Sequence, residues 1–298
     1  MPYSPCQAEP AAVRRVVMVG HVCIDENSGT GLPPAGERVA GSPAVFMNRY
    51  LRGAAEVEVA VLAPYGPDFL DVDSALPLLN GPTAERTLLY RNHLDGDQRT
   101  QECFDAALAH PVPVDAEAAR ALDAADLVIV CPLLPDLSAE YVASVLDGRG
   151  ALSVLLAQGG FRRVDARGRV SRGSFADAER IIPLFDLVVF SDDDVDAPLE
   201  TARRWSAAYP GTVVVVTQNR HGSTWFSGGV GTAVPARALR VPDGAAGNVI
   251  GTGDVFSAAL ALARLETGDV HAAVQCATAA AADFIDATRA GLHAPAAP

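Results

Sequence analysis

Six short aliphatic runs constrain this chain more than any other feature: residues 16–20 (VVMVG), 57–63 (VEVAVLA), 126–131 (DLVIVC), 152–157 (LSVLLA), 186–190 (DLVVF) and 212–217 (TVVVVT). Each is dense in Val, Leu and Ile with little polar alternation, the pattern of a strand covered on both faces. Helical spacing fills 43–53, 115–123, 136–147, 176–183 and 197–208, and two alanine-rich helices are predicted at 253–267 and 269–287. Strand–helix alternation of this kind predicts an α/β fold with a parallel sheet between helices. The 298 residues, 49% of them apolar, suffice for one large domain or two modest ones.

Two regions break the rhythm. Residues 26–40 and 84–106 are polar and turn-rich with strand-like alternation, and read as a small β accessory element, a lid, inserted after the first strand and again later. Residues 222–241 are also β-like, with GSTWF, GTAVPA and LRV separated by glycines. Residues 1–14 read as a flexible tail, 15–291 as one domain and 292–298 as a second tail.

The net charge of -13 argues against partners with phosphate backbones or anionic lipid surfaces. All 23 basic residues are arginine, which excludes a Walker-type phosphate loop and Schiff-base lysine chemistry. Phosphate charge must then be met by arginine, backbone amides or metal. Five scattered cysteines form no C-x-x-C pair, no leader-like apolar run opens the chain, and no apolar stretch is long enough to span a bilayer. The expectation is a reduced, soluble, cytoplasmic protein.

The sharpest chemical feature is Asn248-Val-Ile-Gly251-Thr252-Gly253-Asp254-Val-Phe256-Ser-Ala. Two glycines permit a tight turn and an apolar helical run follows at once, so amide groups at a helix N-terminus are free for a phosphate. Asp254 falls in the first turn, where it could accept a proton from an attacking hydroxyl while the amides stabilise a transferred phosphoryl group. The same pattern also describes an aspartate that favours the helix dipole after a glycine loop.

This segment resembles the G-A-G-D-x-F signature of the ribokinase-like (PfkB) carbohydrate kinases, and the resemblance extends from about residue 15 to 291. It implies a three-layer α/β sandwich with a mostly parallel central sheet and a small β lid. It also implies a catalytic base at Asp254 and an anion hole at Gly251, Thr252 and Gly253. Gly20-His21-Val-Cys23-Ile-Asp25 resembles the family's opening strand, whose aspartate binds acceptor hydroxyls. A carboxylate at a strand's C-terminal end faces the crevice where open sheets bind ligands, and its two oxygens suit neighbouring hydroxyls. As a residue alone, Asp25 is equally a turn former before Glu26-Asn27.

Ala40-Gly41-Ser42-Pro43-Ala44-Val45-Phe46-Met47-Asn48 resembles the family's di-glycine motif, with Ala40 at the first glycine and Val45 at the usual asparagine. With Asn48 in ninth place and YGPDF at 65–69, it is nearest to the inositol-kinase-like branch. The resemblance implies acceptor contacts at Gly41, Ser42 and Asn48, Gly41 letting backbone approach the acceptor. Ser42 and Pro43 also read as the cap and first residue of a helix.

Thr217-Gln-Asn219-Arg-His-Gly222 is similar to the family's strand and turn beside the nucleotide. Nucleotide contacts follow for Thr217 and Gly222, and Asn248 is assigned with them; Asn219 replaces a glycine, which asparagine can do in left-handed geometry. Ser191-Asp192-Asp193-Asp194 falls where the family carries N-x-x-E, implying that Asp194 stands near Mg²⁺ without binding it directly; a solvated acidic loop fits as well. Asn248 and Ile250 replace an acid and a hydroxyl residue, so no monovalent cation is expected. Arg162 reads as a surface arginine able to meet phosphate, and His21 as a pocket residue or a packed strand-end histidine.

Together these imply an ATP- and Mg²⁺-dependent kinase acting on a hydroxyl of a small polyol, a sugar or inositol-like cyclitol. No nucleic-acid or membrane partner is expected, and a homodimer through the lid is a further expectation. The alternatives are a nucleoside kinase of the same family, an aspartate-nucleophile phosphatase using Asp192, and a non-catalytic nucleotide- or sugar-binding module. The phosphatase commonly needs a lysine, which is absent, and the intact glycines around Asp254 count against the module.

Overall fold

The computed structural model describes residues 13–29, 37–54, 56–95, 98–241 and 250–291. The chain runs β1 (Arg14–Gly20), β2 (Cys23–Gly29), β3 (Arg38–Gly41), α1 (Pro43–Leu51), β4 (Val57–Leu62), α2 (Asp68–Val72), β5 (Leu89–Asp95) and β6 (Gln98–Phe104). It continues through α3 (Ala116–Asp123), β7 (Leu127–Cys131), α4 (Ala139–Leu146), β8 (Leu152–Leu156), β9 (Arg162–Val164), β10 (Val170–Arg172) and α5 (Ala178–Ile181). The last part is β11 (Leu187–Ser191), α6 (Pro198–Ala208), β12 (Val213–Thr217), β13 (Ser223–Ser227), β14 (Val230–Val234), α7 (Thr252–Thr267) and α8 (Val270–Arg289).

Among the described residues the central sheet has the order β14-β13-β12-β11-β8-β7-β1-β4. Every pair from β4 across to β12 is parallel, and β13 and β14 extend the edge antiparallel. The α/β architecture with a mostly parallel sheet is therefore the expected one. Successive strand residues point to opposite faces. On one face Val16, Met18, Ile129, Val154 and Val189 pack beneath α1, α7 and α8. On the other, Val17, Val19, Val128, Val130 and Val188 meet α3, α4, α5 and α6. Ser42, Asp115, Ser138 and Asp269 accept first-turn N–H groups of α1, α3, α4 and α8, each cap contributing about 1 kcal/mol.

A second sheet has the order β3-β2-β5-β6, with β2 and β5 parallel. It draws on both polar regions that broke the rhythm. Its Cys23, Tyr90 and Cys103 pack with Leu133 and Leu134.

Several local expectations change. Asp25 lies within β2 rather than at the end of the first strand, because the chain leaves the main sheet at His21 and Val22 and resumes pairing with β3 and β5. Residues 239–241 are not a strand: the Arg240 and Val241 N–H groups donate to Asp286 Oδ1 at 2.9 and 3.0 Å instead of to a ladder. Helix 176–183 contracts to α5, whose continuation as a 3₁₀ turn carries Pro183. The helix α2 and the hairpin β9–β10 carried no clear signal. The tails before residue 13 and after 291 lie outside the described residues.

Ile129 lies on β7, between β1 and β8 in the sheet, and has 0% exposure. Truncating it leaves a cavity beneath α7, so Ile129→Ala should lower the unfolding free energy by about 2–5 kcal/mol in urea denaturation. A loss below about 1 kcal/mol would show that the layer can close over the gap.

Candidate active site

Parallel strands deliver the loops after β8, β11 and β12 to one edge of the main sheet, and the N-terminus of α7 is directed there too. Between that edge and the second sheet lies a cleft of about 1770 Å³. Asp25, Ser42, Asp194, Thr217, Gly222, Gly251, Thr252, Gly253 and Asp254 all line it. A cavity of about 670 Å³ at the opposite end of the strands, lined by Asp126, Arg149, Ser153 and Asp186, gathers none of the expected site residues.

At the head of α7, Gly251 has φ +92° and a Cβ there would fall 2.4 Å from the Phe46 ring. Both facts require glycine, and together they seat the helix start on α1. The turn Thr252–Asp254 carries the positive end of the α7 dipole to the cleft, where an anion is favoured. Asp254 stands in that first turn. Burial, and after it the charge of the Asp254 carboxylate, push the thiol of Cys131, at the end of β7, far up.

Asp25 is 5% exposed and accepts from Cys23 Sγ at 3.5 Å. Burial first, then the Asp25 charge, raise the Cys23 thiol well above its ordinary range, so the sulfur stays protonated as a donor. A Cβ at Gly41 would fall 2.3 Å from Asp25 Oδ2. Gly41 is thus needed to house the carboxylate, and it does not line the cleft. Asn48 is 2% exposed on α1 and does not line the cleft either. Ser42 caps α1 through Val45 N at 3.4 Å and holds φ +103°, a region that favours glycine. The conformational demand of the di-glycine motif therefore falls on Ser42, not Ala40.

After β12, Asn219 adopts φ +50°, the left-handed geometry anticipated for it, and its Nδ2 donates to Asp192 Oδ1 and Asp193 Oδ2 at 3.1 and 3.3 Å. Asp192 is thereby engaged and does not line the cleft. Desolvation raises the Asp194 carboxyl above the usual range, opposed by the Ser191 N–H at 2.8 Å and by the Arg162 guanidinium. No group of three or more acidic, His or Cys residues among the described ones could chelate a metal. Asp193 and Asp194 still offer carboxylate oxygens at the cleft, which fits a Mg²⁺ ion that takes most of its ligands from phosphates and water. Asn248 lies outside the described residues.

The residue most under-read from sequence is Arg162. It is buried, 8% exposed, and lines the cleft. Nη1 donates to Tyr90 Oη at 3.3 Å and Leu133 O at 3.4 Å, and the guanidinium lies 5.2 Å from the Tyr90 ring centroid. Its charge acts on Cys23 and Asp194 alike, so it stands between the Asp25 side and the acidic loop. It forms no ion pair among the described residues and its hydrogen bonds go to neutral oxygens, so an anion entering the cleft would help compensate its charge. His21, by contrast, is structural: Leu133 N–H donates to Nδ1 at 3.1 Å, so Nε2 carries the proton and faces Ala109 O and Asp136 Oδ2.

A further wall also escaped the sequence. Ala236, Ala238 and Leu239, with Arg237 among them, line the cleft, as do Ala281, Ala282 and Ile285 of α8. Asp283 and Asp286 hold this segment through Arg237 and Arg240.

Residues 82–296 match the sequence profile of the pfkB family carbohydrate kinases. No curated protein matches the chain in sequence. Among solved structures, a pyrophosphate-dependent kinase in the ribokinase family, complexed with a pyrophosphate analogue and myo-inositol, superposes with TM-score 0.70 at 16% identity, over 95% of this chain and 97% of its own. Arabidopsis thaliana ribokinase complexed with ribose and ATP gives 0.65 at 15% identity over 92% and 93% of the two chains. Ribokinase from Thermotoga maritima gives 0.64 at 16% over 95% and 96%. At these identities the likeness is one of fold. Among the described residues no helix is long and apolar enough to cross a membrane.

The Gly41–Asp25 contact is testable without any ligand. Gly41→Ala should destabilise by about 1–3 kcal/mol through overpacking. Most of that loss should vanish in an Asp25→Ala background, where the added methyl has room. Equal penalties in both backgrounds, measured by urea denaturation, would show that Gly41 serves some other contact.

Proposed function

The chain belongs to the pfkB family of carbohydrate kinases, phosphotransferases that act on hydroxyl groups, and we propose that it moves the γ-phosphate of ATP to a hydroxyl of a sugar or an inositol-like cyclitol. The observation that carries this reading is the single cleft that holds a buried carboxylate, Asp25, and a helix N-terminus with its own aspartate, Asp254. The cyclitol is favoured by the motif around 40–48 and by the myo-inositol bound to a structural neighbour.

In this reading Asp25 accepts hydrogen bonds from acceptor hydroxyls and fixes which oxygen faces α7. Asp254 takes the proton of that hydroxyl as its oxygen bonds to the γ-phosphorus, while the bond from that phosphorus to the β,γ-bridging oxygen breaks and ADP leaves. The amides from Gly251 to Gly253 receive the charge of the transferred group. Arg162 adds a fixed guanidinium where a lysine-free chain has no ammonium to offer. Mg²⁺ would neutralise the bridging phosphate oxygens, with Asp193 and Asp194 beside it. The apolar side chains that line the cleft from Ala236–Leu239 and α8 suit a planar base, which favours a nucleotide donor over pyrophosphate. The second sheet would cover the acceptor as a lid.

Asp254→Asn should lower kcat by about 10²–10⁴ with ATP affinity nearly unchanged. Arg162→Met should lower kcat by about 10²-fold, as loss of one preorganised donor does. ADP release would be read over a panel of sugars and cyclitols with Mg²⁺-ATP, and pyrophosphate should not substitute. Turnover of Asp254→Asn within a few-fold of wild type would sink the assignment of the base.

A further inference from the structure

Alternation along β2, β5 and β6 places Asp25, Tyr90 and Cys103 in one row of the second sheet and Asn27, Asn92 and Gln101 in the next row on the same face. Asn27 and Asn92 are buried, 8% and 1% exposed, on a face whose neighbouring row packs against Leu133 and Leu134. Carboxamides at such positions are unfavourable unless their hydrogen bonds are made. They are made in series: Gln101 Nε2 donates to Asn92 Oδ1 at 2.8 Å, and Asn92 Nδ2 donates to Asn27 Oδ1 at 2.9 Å. The series ends at the cleft, which Gln101 lines together with Asp25 and Tyr90. With one Nε2 hydrogen given to Asn92, the amide is held in one direction, and its carbonyl oxygen Oε1 is the acceptor that Gln101 can offer a ligand.

We propose that Gln101 is a specificity-determining residue, its Oε1 accepting a hydrogen bond from one acceptor hydroxyl other than the one phosphorylated, and that Asn92 and Asn27 are positioning residues that fix the direction of its amide. The assignment rests on the kinase reading of the cleft and narrows it. The acceptor carries a second hydroxyl on the side of β6, so a deoxy compound at that place is a poor substrate. A side chain held by two further amides reads one position of the ring better than a free one, because its rotamer entropy is already spent in the folded protein.

The test uses the whole chain with Mg²⁺-ATP, taking myo-inositol and D-ribose, each with its monodeoxy analogues, as acceptors. Gln101→Leu should raise KM for the parent acceptor about tenfold, the worth of a single hydrogen bond, with KM for ATP unchanged. For one deoxy analogue alone, the variant and the wild type should show the same KM, because the hydroxyl read by Oε1 is missing from it. Asn92→Leu should raise acceptor KM without lowering kcat, and the double variant should be no worse than Gln101→Leu. Should Asn92→Leu fail to fold, the analogue pattern of Gln101→Leu decides by itself. An unchanged KM, or a uniform loss across all analogues, overturns the assignment of Gln101 while the kinase reading stands. A wild type that phosphorylates neither parent overturns the polyol-kinase reading and this assignment with it.

Discussion

Parallel pairing imposes the geometry on which the cleft depends. Neighbouring parallel strands cannot be joined by a tight turn, so each connection crosses a face of the sheet and every carboxyl end opens on the same edge. Gln158 after β8, the acidic loop after β11 and Thr217 at the end of β12 are neighbours for this reason alone. The start of α7 joins them because Gly251 lies on the ring of Phe46, where any side chain would collide. Sheet and helix start together form one half of the site, and the second sheet supplies the other.

What the sequence made legible follows from the same physics. Strands covered on both faces must be apolar throughout, so five of the six runs stand out from the residues alone, while edge strand β4 keeps an exposed Glu58; the Gly-Thr-Gly-Asp turn announces a helix start. Properties created by tertiary contact stayed hidden. Arg162 looks like any surface arginine until Tyr90 and Leu133 close over it. Asn48 sits at a familiar spacing, and its burial on α1 is not visible in that spacing. The strain at Ser42 cannot be read from a residue that usually avoids positive φ, and Leu239-Arg-Val loses its strand to a carboxylate far along the chain, at Asp286.

A chain without lysine also shows how charge is distributed when only the planar cation is available. Guanidinium groups fasten backbone as well as meeting anions: Arg237 and Arg240 are held by Asp283 and Asp286, and these fix the segment leading away from β14. Arginine prefers such forked, partly buried pairings, whereas an ammonium would remain solvated. Arg162 differs from this pair: it is buried beside an aromatic ring, with neutral oxygens as its hydrogen-bond partners. Its setting separates it chemically from the arginines that hold the scaffold.

The contact between Phe46 and Gly251 joins an early helix to a late one, and α7 and α8 cover the sheet face that carries Val16, Met18, Ile129 and Val154. During synthesis that face is complete, with only α1 over it, before α7 and α8 emerge. A nascent chain paused after β12 would present a broad greasy plane to the cell, with half its walls built and no anion site. Closing that face depends on contacts between residues far apart in the chain, the kind of non-local pairing that slows folding.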